Sequence, residues 1–589
     1  MRRSLSNPIA RLVVLLLTLG CAFAAVVSDV SLHTTSATGR IPALALNDSG
    51  NAAIAVRLDA GGRTALFLVL TDGSRLPVAV AGQPSPIPGF VYDEIRGFDF
   101  NNRNNLIFEA RISNPQHTVA EEGLFFYSHR NRRVVPVLEP GYLQAGQQVW
   151  LADRFSLNDR DQAVLAIDAL CPSGPCASEG EDRLLLYEAE KRELTELARE
   201  TGQDAFHNFG RPAISNQGHI AVAAQRTPGA AFGIYRWAAG GALLEALAPG
   251  RAVELPESPT LHGVGNLILS DSGLVVFVAS FLRNTPPRGG VFAISADNRF
   301  HMLAYDDQEI GGARFPLHSR GIFSTIFDGP SLVSVQGSDE IVIGATDFPS
   351  SPGTGTTIVY LGPESTPVLI IDGTLELAGQ DLRVRPVGSN NGSDVAFLAF
   401  GTGADSQDSL IVRESSGDFR KILDASAFDP GLVNPALHSP RNLTRSLLNE
   451  RGEVALFLNG TLEGVSRDAW FVVDTVSGQV RKIVSEGDEV DVTIGGSRLV
   501  FAQFADGSNP GPSGAFTQLN LYNPNPWSNR VSVTFRQSSG EPAKVLQVGS
   551  EESEVLEATI APLGSLVVET TAGPTLQKGY VVAESESEL

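Results

Sequence analysis

Eight times along the chain a short apolar run breaks at a small polar turn and restarts as a second apolar run, and this repeat constrains the fold more than any other feature. The runs are ALALNDSGNAAIAV from Ala43, DFNNRNNLIFEA from Asp99, SLNDRDQAVLAI from Ser156, AISNQGHIAVAA from Ala213, ILSDSGLVVFVA from Ile268, SVQGSDEIVIGA from Ser334, GSNNGSDVAFLAF from Gly388 and LLNERGEVALFL from Leu447. Aligned on Gly50, Asn104, Asp161, Gly218, Gly273, Asp339, Ser393 and Gly452, they recur at steps of 54 to 66 residues. A near-constant period of that length belongs to a repeat architecture. All of these marks except Ser393 are Gly, Asn or Asp, which tolerate the left-handed backbone that ends a tight hairpin turn.

Each unit continues with a third apolar strand carrying a recurrent aromatic: Phe67, Phe125, Tyr235, Phe292 and Phe471. A short polar turn such as TDGSR or SADNR and a fourth strand follow. Four short antiparallel strands per unit predict an all-β chain: a β-propeller of about eight four-stranded blades, followed by a small β-sandwich. The first two strands, rich in Ala, Val, Gly and Ile, suit a narrow axis, and the bulkier third and fourth suit the outside of the ring. The long interval before the sixth unit, 66 residues, leaves seven blades as the alternative. A solenoid fits less well, since its coils are shorter. The turn-rich composition, with 59 Gly, 35 Pro and 19% charged residues among 589, agrees with this class.

Residues 1–24 read as a secretory signal: Arg2, Arg3 and Arg11 precede the apolar run Leu12 to Leu19, and Ala22-Phe23-Ala24 supplies a cleavage site. The apolar stretch is short for a membrane span, and Thr18-Leu19-Gly20-Cys21 makes a weak lipoprotein box. The expected organisation is a signal at 1–24, a propeller at 25–494 and an immunoglobulin-like sandwich at 495–589. The expected location is secreted, periplasmic or cell-surface, with no membrane span in the mature chain. A net charge of -22 argues against nucleic acid as a partner, because phosphate binding needs clustered cations. After cleavage only Cys171 and Cys176 remain, in CPSGPC, and an exported chain is expected to join them in a local disulfide; a metal clip and free thiols are the alternatives.

No nucleophile elbow, metalloprotease helix, phosphate-cradling loop or dinucleotide fingerprint is present, and no cofactor or metal is implied. A propeller assembles its sites from single residues on separate blades, so chemistry there need not leave a local motif. His207, His262, His318 and His438 recur in the connections between units, where imidazoles can converge on a channel mouth as ligand contacts or simply bond to backbone. Asp48, Asp159 and Asp271 recur at the first turn; turn chemistry explains them, and one per blade sets them tens of ångströms apart. Trp150, Trp237 and Trp470 are candidate sugar platforms, the last two reading better as packing. Trp527, in a sandwich loop, is the candidate exposed contact.

The x-Leu-Asn-Asp-x-Gly-x-x-Ala-Phe theme, with a degenerate Gly-Asp element surviving at Ala81-Gly82-Gln83, Asp372-Gly373 and Glu486-Gly487-Asp488, resembles a propeller-like repeat family of secreted bacterial proteins without assigned activity. The resemblance covers most of residues 40 to 490. The segments FAQFADG, NLYNPN and IAPLGS look like a bacterial immunoglobulin-like module appended to exported proteins. That module continues past its GYV element, whereas this chain stops at Leu589, which leaves both a complete and an incomplete sandwich open. Neither resemblance supplies catalytic residues. The function expected is non-enzymatic binding of an extracellular protein or glycan by the loop face of the propeller. The alternative is a propeller hydrolase or lyase acting on extracellular polysaccharide.

Overall fold

A computed structural model describes residues 26–27 and 44–585, apart from the connecting segments 59–63, 88–89, 115–119, 139–147, 151–153, 171–181, 201–205, 228, 239–241, 255–259, 283–288, 306–307, 311–312, 315–331, 336–338, 347–354, 361–362, 373, 378, 402–407, 429–432, 439–447, 463–464, 486–487, 489, 492–497, 507–517, 523–528, 538–545, 549–550, 554, 561–564 and 570–576. Nearly all of the described elements are strands. The first unit is the antiparallel meander Leu44–Leu46, Ala52–Arg57, Thr64–Val69, Arg75–Val80. Equivalent meanders follow at 91–138, 148–199, 213–247, 260–305, 332–372, 380–424 and 433–485. Those at 332–372 and 380–424 are joined into one nine-stranded sheet by the short strand Thr374–Leu377. The long interval ahead of the sixth unit holds a small hairpin, Glu309–Ile310 with Ala313–Arg314.

All eight repeat marks have positive φ, from 59° at Asp161 to 92° at Gly273, and even Ser393 adopts 64°. The predicted turn register is therefore the observed one. Except ahead of Asp339, where 336–338 lie outside the described residues, each mark follows an Asx or Ser turn: Asn101 Oδ1 accepts the N–H groups of Arg103 and Asn105, both at 3.0 Å, and Asn449 Oδ1 those of Arg451 and Glu453 at 3.0 and 2.8 Å.

The second strands read as unbroken apolar runs because both of their faces are covered. In the first unit Ala52, Ile54 and Val56 pack toward the eighth, while Ala53 and Ala55 pack toward the second. Further clusters join the second unit to the third, the third to the fourth, and so on to the seventh. One cluster unites the seventh, eighth and first units, so the series closes on itself as a β-propeller. The recurrent aromatics are core residues: Phe67, Phe125, Tyr235, Phe292 and Phe471 are all buried. Fourth strands such as Glu193–Arg199 are largely exposed, as expected at the rim of the ring. Val26–Val27 pairs with Val490–Asp491, just beyond the last meander.

Between 498 and 585 lie a four-stranded sheet, ordered Arg498–Asp506, Gln577–Ser585, Asn529–Gln537, Val555–Ile560, and a two-stranded one, Gln518–Tyr522 with Ser565–Glu569. Both contribute to one apolar cluster that includes Leu521, Phe535 and Val568.

Candidate functional site

In an antiparallel meander the turns joining strands one to two and three to four lie at one end, and the longer connections lie at the other. The end bearing the first turns is where the described residues converge. Their side chains form hydrogen-bonded belts in which each unit holds the next.

The inner belt uses the asparagine three before the mark in the first, second, third and eighth units. Asn47 Nδ2 donates to Asn101 O at 3.2 Å, Asn101 Nδ2 to Asn158 O at 2.9 Å and Asn158 Nδ2 to Ser215 O at 2.9 Å. Asn449 Nδ2 joins the eighth unit to the first through Asn47 O at 2.9 Å. A second belt uses the next residue in sequence, whose backbone N–H donates to the equivalent side chain of the following unit. The bonds run Asp48 to Asn102 and Asn102 to Asp159, both 2.8 Å, then Asp159 to Asn216 at 2.8 Å and Asn216 to Asp271 at 2.7 Å. Asn391 N–H donates to Glu450 at 3.0 Å, and Glu450 N–H to Asp48 Oδ1 at 3.2 Å. Between the fifth, sixth and seventh units, Ser272 donates to Asp339 and Ser393 Oγ to Glu340, each at 2.7 Å.

These belts surround a cavity of about 300 Å³ on the axis. Its lining is predominantly polar, with Asp48, Asn102, Asp159, Asn216, Asp271, Asn391 and Glu450 from the second belt and Asn47, Ser215 and Asn449 from the first, while the neighbouring apolar residues Phe100, Leu157 and Leu448 are buried in the cores between units. Among the described residues no Lys, Arg or His lines it. Burial, with the Asp48 carboxylate beside it, raises the Glu450 pKa above the ordinary glutamate value, although the Asn391 N–H pulls the other way.

This geometry corrects the expectation that Asp48, Asp159 and Asp271 stand tens of ångströms apart. The amide of Asn102 donates to both Asp48 Oδ2 and Asp159 Oδ2, at 2.6 and 3.0 Å. The first turn sits at the innermost radius of its unit, so one residue per unit makes a tight ring. The signal was present in the sequence as Asp and Asn recurring at one register position.

His207 and His262 lie away from this rim. His262 is the third residue of Thr260–Leu269, whose far end carries the Ser270 turn, and its carbonyl accepts the Phe232 N–H at 3.1 Å. His207 bridges Gln225 through backbone, and its Nδ1 is 2.7 Å from Glu200 Oε1. His438 ends the strand Val433–His438, with its side chain outside the described residues. These three occupy first strands or their extensions rather than free connections. His318, Trp527, Cys171 and Cys176 lie outside the described residues, as does the side chain of Trp150. Trp470 is packing, as expected, with its ring 5.2 Å from that of Phe457; Trp237 packs against the core between the third and fourth units. Among the described residues no three His, Cys, Asp or Glu side chains are grouped to hold a metal ion.

A family of unknown function, DUF7453, matches residues 19–230. No curated protein matches the chain. Similar solved structures include the Dos1 propeller, 11% identical over 65% of this chain and 81% of that one, with a TM-score of 0.34. An oligogalacturonate lyase in complex with manganese is 9% identical over 67% and 92%, with a TM-score of 0.36. Porphyromonas gingivalis dipeptidyl peptidase 4 is 10% identical over 62% of this chain and only 50% of its own, with a TM-score of 0.34. These TM-scores are low, and the propeller architecture rests on this chain's own sheets and belts. No helix among the described residues is long and apolar enough to cross a membrane.

Proposed function

We propose that the protein is an exported, non-enzymatic binding protein: an eight-bladed propeller, preceded by a cleaved signal at 1–24 and followed by an immunoglobulin-like sandwich from about 495, whose loop-rich face contacts an extracellular protein or glycan. The observation that carries this reading is the state of the rim carboxylates. Asp48, Asp159, Asp271 and Glu450 each accept a backbone N–H from a neighbouring unit, so the acids that surround the axis are engaged in holding the ring. General acid–base work needs a pair positioned on a substrate and able to exchange protons. In the sequence the segments 171–181, 283–288, 347–354 and 402–407, each between a second and a third strand, differ in length and composition, the pattern of binding loops on a repeated scaffold.

The test is a glycan array and a pull-down from extracellular material with the mature chain, repeated with 347–354 and 402–407 replaced by Gly-Ser linkers. Capture that is lost in the loop variants is the expected result. One specific observation favours the alternative, a hydrolase or lyase acting on polysaccharide: the 2.7 Å His207–Glu200 pair at the loop end. Release of sugar fragments from a polysaccharide panel by the mature chain, abolished in His207→Gln, would replace the binding reading with that one.

A further inference from the structure

We propose that the turn between the third and fourth strands of the second unit binds the carboxylates of an acidic polysaccharide chain. This surface is built from other residues than the connections named above and does not rest on that reading. The first observation is charge. Residues 129–133 read His-Arg-Asn-Arg-Arg, and nothing from Gly123 to Leu138 is acidic, in a chain of net charge -22. Every other turn of this kind carries an acid, as at Asp72, Glu188, Asp297, Glu364, Asp418 and Asp474, or, in the fourth unit, no charge at all. Burial and the Arg132 charge lower the His129 pKa, so the charge of the turn is that of its arginines. Arg130 stands exposed at the tip with no ion pair among the described residues, and Arg133 is exposed beside it.

The second observation is strain. The left-handed position near the end of this turn is Gly73, Gly417 and Gly478 in the first, seventh and eighth units and Asn298 in the fifth, but it is Arg132, with φ 47°, in the second. An arginine is less favourable there than glycine, and strain of this kind collects where a side chain serves binding and not folding. Arg192, with φ 54°, repeats the choice in the adjoining turn of the third unit. The two turns are tied together: His129 N–H donates to Asn105 Oδ1 at 2.8 Å, Asn105 Nδ2 to Asp161 Oδ1 at 2.7 Å, and Ala189 N–H to Asp161 O at 3.1 Å. Asp161, the acid between them, is buried and held by Arg103 Nη1 at 3.0 Å. Glu190 and Glu193 flank Arg192, so the site centres on the second unit.

The surroundings select the occupant. The same end of the ring exposes Asp72, Asp271, Asp297 and Asp418, which repel a broad anionic surface such as a membrane, so the ligand is a narrow chain. A single nucleic-acid strand needs aromatic platforms beside its cations, and among the described residues none of the exposed large apolar side chains is aromatic. Guanidinium forks match carboxylates with paired hydrogen bonds. A glycan carrying carboxylates along its length meets these conditions.

The experiment is isothermal titration of the mature full-length chain with alginate oligosaccharides at neutral pH and low ionic strength. Neutral dextran, the propylene glycol ester of alginate, oligothymidylate and phosphatidylserine vesicles are the controls. Alginate is expected to bind, more weakly as salt is added, and each control at least about tenfold less tightly. In the double variant Arg130→Gln/Arg132→Gly, alginate is expected to bind at least about tenfold more weakly while Tm holds or rises, because glycine relieves the left-handed strain. No alginate binding, a control bound as tightly as alginate, or equal affinity in the double variant overturns the proposal. Replacing 347–354 and 402–407 by Gly-Ser linkers is expected to leave alginate binding unchanged; its loss there would move the site to those connections and overturn this one. If the double variant does not fold, the alginate series and its controls on the unaltered chain decide the matter.

Discussion

At the scale of single residues the repeat mark and the Asx position are separable. Gly273 has φ 92°, and a Cβ there would meet nothing nearer than His219 Nδ1 at 3.5 Å. Gly273→Ala is therefore expected to lose only the backbone strain of a left-handed residue, about 1 kcal/mol, read as a lowered urea midpoint. Asn101 does more. It is 2% exposed, holds its own turn through Oδ1 and reaches the third unit through Nδ2, which also donates to Asp161 Oδ1 at 2.8 Å. Asn101→Ala is expected to cost about 3 kcal/mol, since several buried groups lose their partners together. Asn101→Ser should cost about half of that. Ser215 occupies the same register, where its Oγ accepts the local N–H groups of Gln217 and His219 at 3.2 and 3.3 Å but reaches no neighbour. The local half of this chemistry is legible in the sequence, because an Asx turn is closed within four residues. The half between units is not, because its partners lie 54 to 60 residues apart and meet only when the radius of the ring is known.

At the scale of strands and sheets the four-strand unit was legible from its apolar runs and turns, and the clasp that fastens one sheet to the next was not. Arg236, in the strand Gly233–Ala238, crosses to the fifth unit, where Nη2 donates to the carbonyls of Gly273 and Ile294, both at 2.8 Å, and Nη1 to Ser295 at 2.9 Å. Arg420 and Arg481 reach the following unit in the same manner, to the carbonyls of Thr475 and Gly50. In a sequence each of these is one arginine in a strand, indistinguishable from a solvated one. Arg236→Met is expected to lower stability by about 2 kcal/mol. Arg236→Lys should recover less than half of that loss, because a single ammonium cannot replace the planar fork. Equal stability of the Lys variant and the parent in chemical denaturation would show that charge alone sufficed.

At the scale of the whole molecule the ring is closed by contacts between its first and last units. Besides the belts, Arg75 donates to the Ile483 carbonyl at 3.0 Å and pairs with Asp488 at 2.7 Å, and Lys482 binds the same carboxylate at 2.8 Å. Burial alone would raise the Asp488 pKa, but the bonds from Lys482 and Ser485 outweigh it, and the net direction is down. A carboxylate with a lowered folded pKa adds stability that is complete above its unfolded value, near 3.9, and disappears as pH falls through the folded value. Asp488→Asn is thus expected to be less stable than the parent at pH 6, with the difference shrinking as the pH is taken to 3, in urea titrations across that range. A constant difference would mean that the loss is one of packing and not of charge. Closure could be anticipated from the repeat, since a propeller has no free ends. The residues that perform it could not, because Arg75 and Asp488 are separated by 413 positions.

The belts also have a direction. From Asn47 to Asn158, and again from Asn449 back to Asn47, each amide donates forward to the carbonyl of the unit that follows it in the ring. A unit of this kind presents a donor on one side and the matching acceptor on the other, whatever its neighbours are. A gene segment encoding one such unit, copied and inserted beside itself, would yield a protein in which the newcomer is satisfied on both flanks from the start. Growth by tandem duplication is therefore inexpensive for this architecture, and the number of units is set by how many can close around the axis.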